Sequence, residues 1–168
     1  MGQAQALVAE HAAEEEERFL LSLVRRFDGG VTEGHLHMLI YTAQKLNGLP
    51  ARYDFQFQHL VPFSESLDLA IAMVLWNQLL RIQDNRLWEV RGSAMRREGL
   101  AGIGAPSAAS SGVLDKLAGL SYDALKLLAV MVHLERDERK SRQEAVTIAT
   151  RHFPVLEEQA MKLLESCS

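Results

Sequence analysis

The stretch that most restricts how this chain can fold runs from Ser64 to about Leu79. Leu67, Leu69, Ala70, Ile71, Met73, Val74, Leu75 and Trp76 leave almost no polar side to a helix built there. A helix that is apolar nearly all round has to be covered by several neighbours. The segment therefore reads as the centre of a domain or as part of an interface. Ser64 is suited to cap its start, with Glu65 in the first turn. The unbroken apolar run within it, Leu69 to Trp76, spans eight residues, whereas a membrane span needs about 20.

Amphipathic elements surround this segment. Phe19, Leu20, Leu23, Val24 and Phe27 recur at helical spacing, and Asp28, Gly29 and Gly30 stop the helix after Phe27. Upstream, the Glu14–Glu17 run reads as a solvated face, with Glu14 and Arg18 spaced as an i, i+4 pair. Thr32 caps a second helix whose inner face is Leu36, Leu39, Ile40, Ala43 and Leu46. From Tyr53 to His59, aromatic residues and histidine alternate with Asp54, Gln56 and Gln58, which predicts a half-buried strand. Leu80 to Val90 reads as a hairpin turning at Asp84-Asn85, two residues that tolerate the positive φ of a tight turn. Leu39, Ile40, Phe57, Leu67, Ile71 and Leu75 are the expected core.

Gly99 to Gly112 is mostly Gly, Ala and Ser and reads as a linker. Beyond it come short helices. Ser121 caps one from Tyr122 to Leu134. Ser141 and Glu144 have capping-box spacing and open another, through Ala149. Pro154 suits the first turn of the last helix, with Leu156, Ala160, Leu163 and Leu164 inward. The expected fold is mainly α with a small sheet built from 53–59 and the 80–90 hairpin. The order helix, helix, strand, helix, hairpin is that of a winged-helix domain. The expected organisation is a winged-helix-like region over 1–98, a linker over 99–112 and a C-terminal helical extension over 113–168.

Particular residues carry a family resemblance. The helix from His35 to Leu46, with Tyr41 and Gln44, is similar to the K-L-Q-K-(I/L)-x-Y-L-x-Q helix of YwgA-like winged-helix proteins of bacteria and archaea. Phe55, Phe57, Pro62, Phe63, Ser64 and Leu67 resemble that family's F-x-F-x-x-Y-G-P-Y-S-x-x-L. The resemblance covers roughly residues 17–165. A more distant likeness, through the Tyr-x-x-Gln helix, is to the Panacea domain found in antitoxins. Leu60-Val61-Pro62 stands where the family has Tyr-Gly-Pro, and His35 and His37 stand where it has basic residues.

Reactive constellations are sparse. The six histidines include no i, i+4 pair of the H-E-x-x-H kind, and His133-Leu134-Glu135 lacks the P-C-x-x-C that zinc deaminases require. The glycines between Gly99 and Gly104 have neither dinucleotide nor phosphate-loop spacing. Cys167 is alone, so no internal disulfide is available. The expectation is no enzyme activity, no metal, no cofactor and no small-molecule substrate. With neither an export signal nor a membrane span in the sequence, a cytoplasmic protein is expected.

Two functions remain open. Net charge is −4, and the Ser64–Leu79 segment carries Glu65 and Asp68 but no Lys or Arg. Such a segment suits a protein partner or self-association, as in a dimer, with Met73 and Trp76 as contacts. Arg81, Arg86, Arg91, Arg96 and Arg97 cluster on and after the hairpin. They are the residues that a DNA-binding regulator would use on phosphate.

Overall fold

The structure, a computed structural model, describes residues 2–46, 49–50, 52–90 and 108–167. In chain order its elements are α1 (Gly2–Val24), α2 (Glu33–Lys45), β1 (Gln56–Gln58), β2 (Val61–Phe63), α3 (Glu65–Trp76), β3 (Leu80–Gln83) and β4 (Arg86–Glu89). After these come α4 (Ala108–Ala118), α5 (Tyr122–Arg136), α6 (Arg142–Thr150) and α7 (Glu157–Cys167). The fold is mainly helical with small antiparallel β-hairpins. The chain forms two compact units that alternate along it. The first draws on Met1–Glu33 and Ser66–Pro106, the second on Gly34–Glu65 and Ser107–Ser168.

In the first unit, Leu20, Leu23, Val24, Val31, Leu67, Ile71, Val74, Leu80 and Leu87 are buried. Helix α1 stops at Val24, earlier than the Phe27 expected. Its last amides tighten into i, i+3 bonds, from Arg26 N–H to Leu23 O and from Phe27 N–H to Val24 O, both 3.1 Å. The chain then turns sharply at Gly30, whose φ is +66°. A Cβ on Gly30 would lie 2.7 Å from Trp88 Cε2 and 3.0 Å from Leu87 O. This glycine serves a close approach as well as a turn. Val31 and Leu87 exchange both backbone bonds, at 3.1 and 2.7 Å. Arg86 donates to Gly29 O at 2.9 Å and to Gly30 O at 3.3 Å.

The Glu14–Glu17 run is not the solvated face that its charge suggested. Glu17 is buried and accepts a hydrogen bond from the Asn77 side chain. It lies on the same helical stripe as Leu20, Leu21 and Val24, which carries it inward. The Glu14–Arg18 pair does form, at 3.2 Å.

Strands β3 and β4 pair from Leu80↔Glu89 to Gln83↔Arg86 around Asp84-Asn85. Both turn residues take positive φ, 51° and 58°, as a tight hairpin of this hand requires. Helix α3 ends at Trp76 rather than near Leu79. Leu79 N–H returns to Val74 O at 3.1 Å with Gln78 left-handed between them, φ 58°, and that closes the helix.

The second unit is organised on α2, where every residue from Leu36 to Ala43 is buried. Strand β1 is shorter than the predicted Tyr53–His59. The Gln44 side chain captures the backbone ahead of it: Gln44 Oε1 accepts the N–H of Arg52 and of Tyr53, each at 3.2 Å, and Gln44 Nε2 donates to Tyr53 O at 3.0 Å. Nor does β1 join the 80–90 hairpin. It pairs with β2 in a separate hairpin, Gln58↔Val61 to Gln56↔Phe63, turning at His59 and Leu60, both of positive φ. Pro62 faces Phe57, a position next to the closing pair, where an antiparallel ladder asks for no N–H.

Of the expected core, Leu39, Ile40, Leu67 and Ile71 are buried, but Phe57 and Leu75 are only half-buried. Within the expected 99–112 linker, residues 99–107 lie outside the described residues, and α4 begins at Ala108. Alanine's helix propensity outweighs the Ser-rich composition there. Ser121 caps α5, and Ser141 with Glu144 forms the capping box of α6. Pro154 precedes α7 instead of sitting in its first turn, and this leaves Leu156 exposed.

Two substitutions test these backbone features. Gly30→Ala should destabilise by more than about 1 kcal/mol, because it meets both the positive φ and the Trp88 ring. Gln78→Gly should stabilise by about 1 kcal/mol by removing a left-handed non-glycine residue. Denaturant titration measures both, and opposite signs would contradict the backbone described here.

Candidate interaction surface

Burial divides α3 into two faces. Leu67, Ile71 and Val74 point inward. Leu69, Met73 and Trp76 repeat the same i, i+4, i+7 spacing two residues later and point outward, 65%, 51% and 83% exposed. Ala72 is exposed beside Met73, and Glu65 is exposed at the helix start. The helix that composition presents as enclosed on several sides is therefore open along one. Composition could not reveal this, because both stripes are apolar.

The hairpin arginines are dispersed. Arg81 is exposed on β3. Arg86 does not reach outward from the hairpin tip. It folds back onto the carbonyls of Gly29 and Gly30, and it pairs with neither Asp84 nor Glu89. Glu89 instead receives a two-pronged bond from Arg25, at 2.7 and 2.5 Å. Arg91, Arg96 and Arg97 lie outside the described residues. Ile82, the cross-strand neighbour of buried Leu87, is 58% exposed.

A polar cluster in the second unit was not anticipated. The hydroxyl of buried Tyr41 donates to Asp137 Oδ2 at 2.7 Å. His133 Nδ1 lies 3.1 Å from the same oxygen, and Lys45 Nζ pairs with Asp137 Oδ1. The Phe57 ring lies flat on the His133 ring, with centroids 4.0 Å apart. Phe55 and Phe57 meet Tyr41 edge-on, at 5.5 and 5.2 Å. His133 and Asp137 stand at i, i+4 near the end of α5, a spacing legible in the sequence. Tyr41 lies 96 residues from Asp137, and no local pattern links the two.

Burial, then the hydrogen bond to Asp137 and its charge, hold the Tyr41 phenol far above the ordinary tyrosine value. It stays protonated and acts as a donor. Burial alone would raise the Asp137 carboxyl. Hydrogen bonds from Lys45, Tyr41 and His133 outweigh that, and the group sits below the usual carboxylate range. The cluster therefore gathers three donors on one carboxylate. It ties α2 to the end of α5, and Phe57 lays β1 over it.

The other histidines are placed individually. His37 is buried, accepts the Ser64 N–H on Nδ1 at 3.1 Å and stacks on Phe63. His35 meets Tyr122 edge-on at 5.7 Å. Among the described residues, no three His, Cys, Asp or Glu side chains converge as a metal would require. Among them, too, no helix is long and apolar enough to cross a membrane. Compared with protein families, curated proteins and solved structures, the chain matches none.

Because Asp137 is held below its ordinary value, its contribution to stability is complete above pH ~4 and is lost as pH falls through the lowered value. Unfolding measured from pH 7 to pH 2 should show this loss in the wild type but not in Asp137→Asn. At pH 7, Tyr41→Phe should cost about 1–2 kcal/mol. No change in Tyr41→Phe would mean that the hydroxyl does not hold the unit together.

Proposed function

We propose that this chain is a non-catalytic, winged-helix-like module for protein–protein interaction and that it makes contact through the outward face of α3. The observation that carries this reading is the exposure of Leu69, Met73 and Trp76 on one helical face. Together they present on the order of 400 Å² of apolar surface, within the range where an exposed patch marks an interaction site. Tryptophan and methionine are favoured at the centre of interfaces, and lysine and glutamate are depleted there. The chain order supports the winged-helix-like reading: α1, the Val31 bridge to β4, α2, the short β1–β2 hairpin, α3 and then the β3–β4 hairpin. The resemblance to YwgA-like proteins supports the fold of such a module, and the more distant likeness to the Panacea domain, found in antitoxins, adds an antitoxin-like role to the proposal.

Contact with nucleic acid through the hairpin arginines has less support. Arg86 is committed to backbone carbonyls, and α3 offers no cation to phosphate. Photocrosslinking tests the proposed face directly. A benzoylphenylalanine at position 73 should give covalent protein adducts in cells, whereas one at the exposed Glu157 position of α7 should not. The absence of any adduct at position 73 would overturn the reading. So would duplex DNA binding at about 50 mM salt that weakens steeply as salt rises, because that is the signature of phosphate contact.

A further inference from the structure

We infer that His133 is a proton-operated clasp in the second unit: its charged ring holds the β1–β2 hairpin to the end of α5, and its neutral ring lets the hairpin loosen. His133 Nδ1 lies 3.1 Å from Asp137 Oδ2, and Nε2 lies 3.5 Å from Glu138 Oε1. A carboxylate only accepts hydrogen bonds, and a neutral imidazole carries one N–H and one bare nitrogen. Whichever nitrogen a neutral ring leaves bare therefore faces a carboxylate oxygen, lone pair towards lone pair. Only the imidazolium has a proton for each. Imidazole is also the side chain that ordinarily changes charge between about pH 5 and 8, where carboxylates stay ionised.

The groups around the ring come from several elements. From α2, Tyr41 spends its proton on Asp137 Oδ2, and Lys45 pairs with Asp137 Oδ1. Lys45 opposes a charge on the ring, as does exposed Arg136 in the same last turn of α5. The two carboxylates and the negative end of the α5 dipole favour it. Helices α6 and α7 also pack on α5. There Arg142 is paired with Glu135, Glu144 with the Ser141 cap, and Lys162 with Glu158. The β1–β2 hairpin brings the Phe57 ring, and His59 is exposed at its turn.

The effect of the proton reaches the hairpin through Phe57. Its ring lies 4.0 Å from that of His133, with planes 6° from parallel. A charge on the imidazole thus meets the electron-rich face of the phenyl ring. A two-stranded hairpin of this size does not hold itself. This one also turns through His59 and Leu60, both in the left-handed region that side chains disfavour. Such a segment opens locally at small cost, so a contact of modest strength decides how often it does. At its other end, His37 accepts the Ser64 N–H on Nδ1, a role open only to an uncharged nitrogen. Acid acting at His37 would release the hairpin, so the two histidines give opposite signs.

Hydrogen exchange of the full chain, followed by NMR at about pH 5.5 and about pH 8, tests the inference. The reporters are the cross-bonded amides of Gln56, Gln58, Val61 and Phe63, with α6 as the reference. Protection factors remove the intrinsic pH dependence of exchange. A half-exposed carboxylate and a stacked ring should raise hairpin protection about three- to fivefold at the lower pH, relative to α6. His133→Gln should abolish the rise. Glu138→Gln, at an exposed position, should at least halve it, and it decides alone should His133→Gln fail to fold. Unchanged protection in the wild type overturns the inference. A fall in acid also overturns it and gives control to His37. A rise that survives both substitutions overturns it in favour of another group.

Discussion

The hydroxyl of Tyr41 has to find a partner, and much of the second unit follows from where it finds one. Helix α2 is buried without a break from Leu36 to Ala43, so any polar group on it is removed from water. An unmet donor there would cost about 1–3 kcal/mol. Asp137 supplies the acceptor, and this brings the end of α5 onto α2. His37 meets the same demand by accepting the Ser64 amide, which holds the end of the β1–β2 hairpin to α2 with Phe63 stacked on the histidine ring. Gln44, one turn further on, holds the backbone of Arg52 and Tyr53. Three polar side chains of one helix thus position the aromatic segment and the hairpin after it.

This is also why α2 and α3 are misjudged from composition. Helix α2 contains two histidines, a tyrosine, a threonine and a glutamine, and the helix template credits it with one apolar stripe. It is buried nonetheless, because distant groups meet the polar atoms of His37, Tyr41 and Gln44. Helix α3 has hardly any polar atoms to satisfy, yet it leaves Trp76 almost fully open. Burial here tracks the availability of partners as much as hydrophobicity.

Features set by near neighbours were legible in the sequence. The Asp84-Asn85 turn, the Ser121 cap, the Ser141–Glu144 box and the stripe of Leu20, Leu23 and Val24 all rest on residues within a turn or two of each other. Features set by distant contacts were not. Arg86 reads as a free cation until Gly29 and Gly30 are placed beside it. Glu17 reads as solvated until Asn77 reaches it. The candidate surface lies between these cases. Met73 and Trp76 are identifiable as residues suited to contact, but which side of α3 faces out depends on what covers Leu67, Ile71 and Val74.

The chain's two tryptophans fall in opposite surroundings. Trp88 rests on Gly30, and its indole N–H is bonded to Gln83 O at 3.3 Å. Trp76 stands out from α3 into solvent. Their fluorescence therefore separates into two channels. A collisional quencher in solution reaches Trp76 first, and the emission left behind belongs to Trp88, which reports on the integrity of the hairpin. Folding and surface occupancy can thus be followed in one unlabelled sample, each through its own indole.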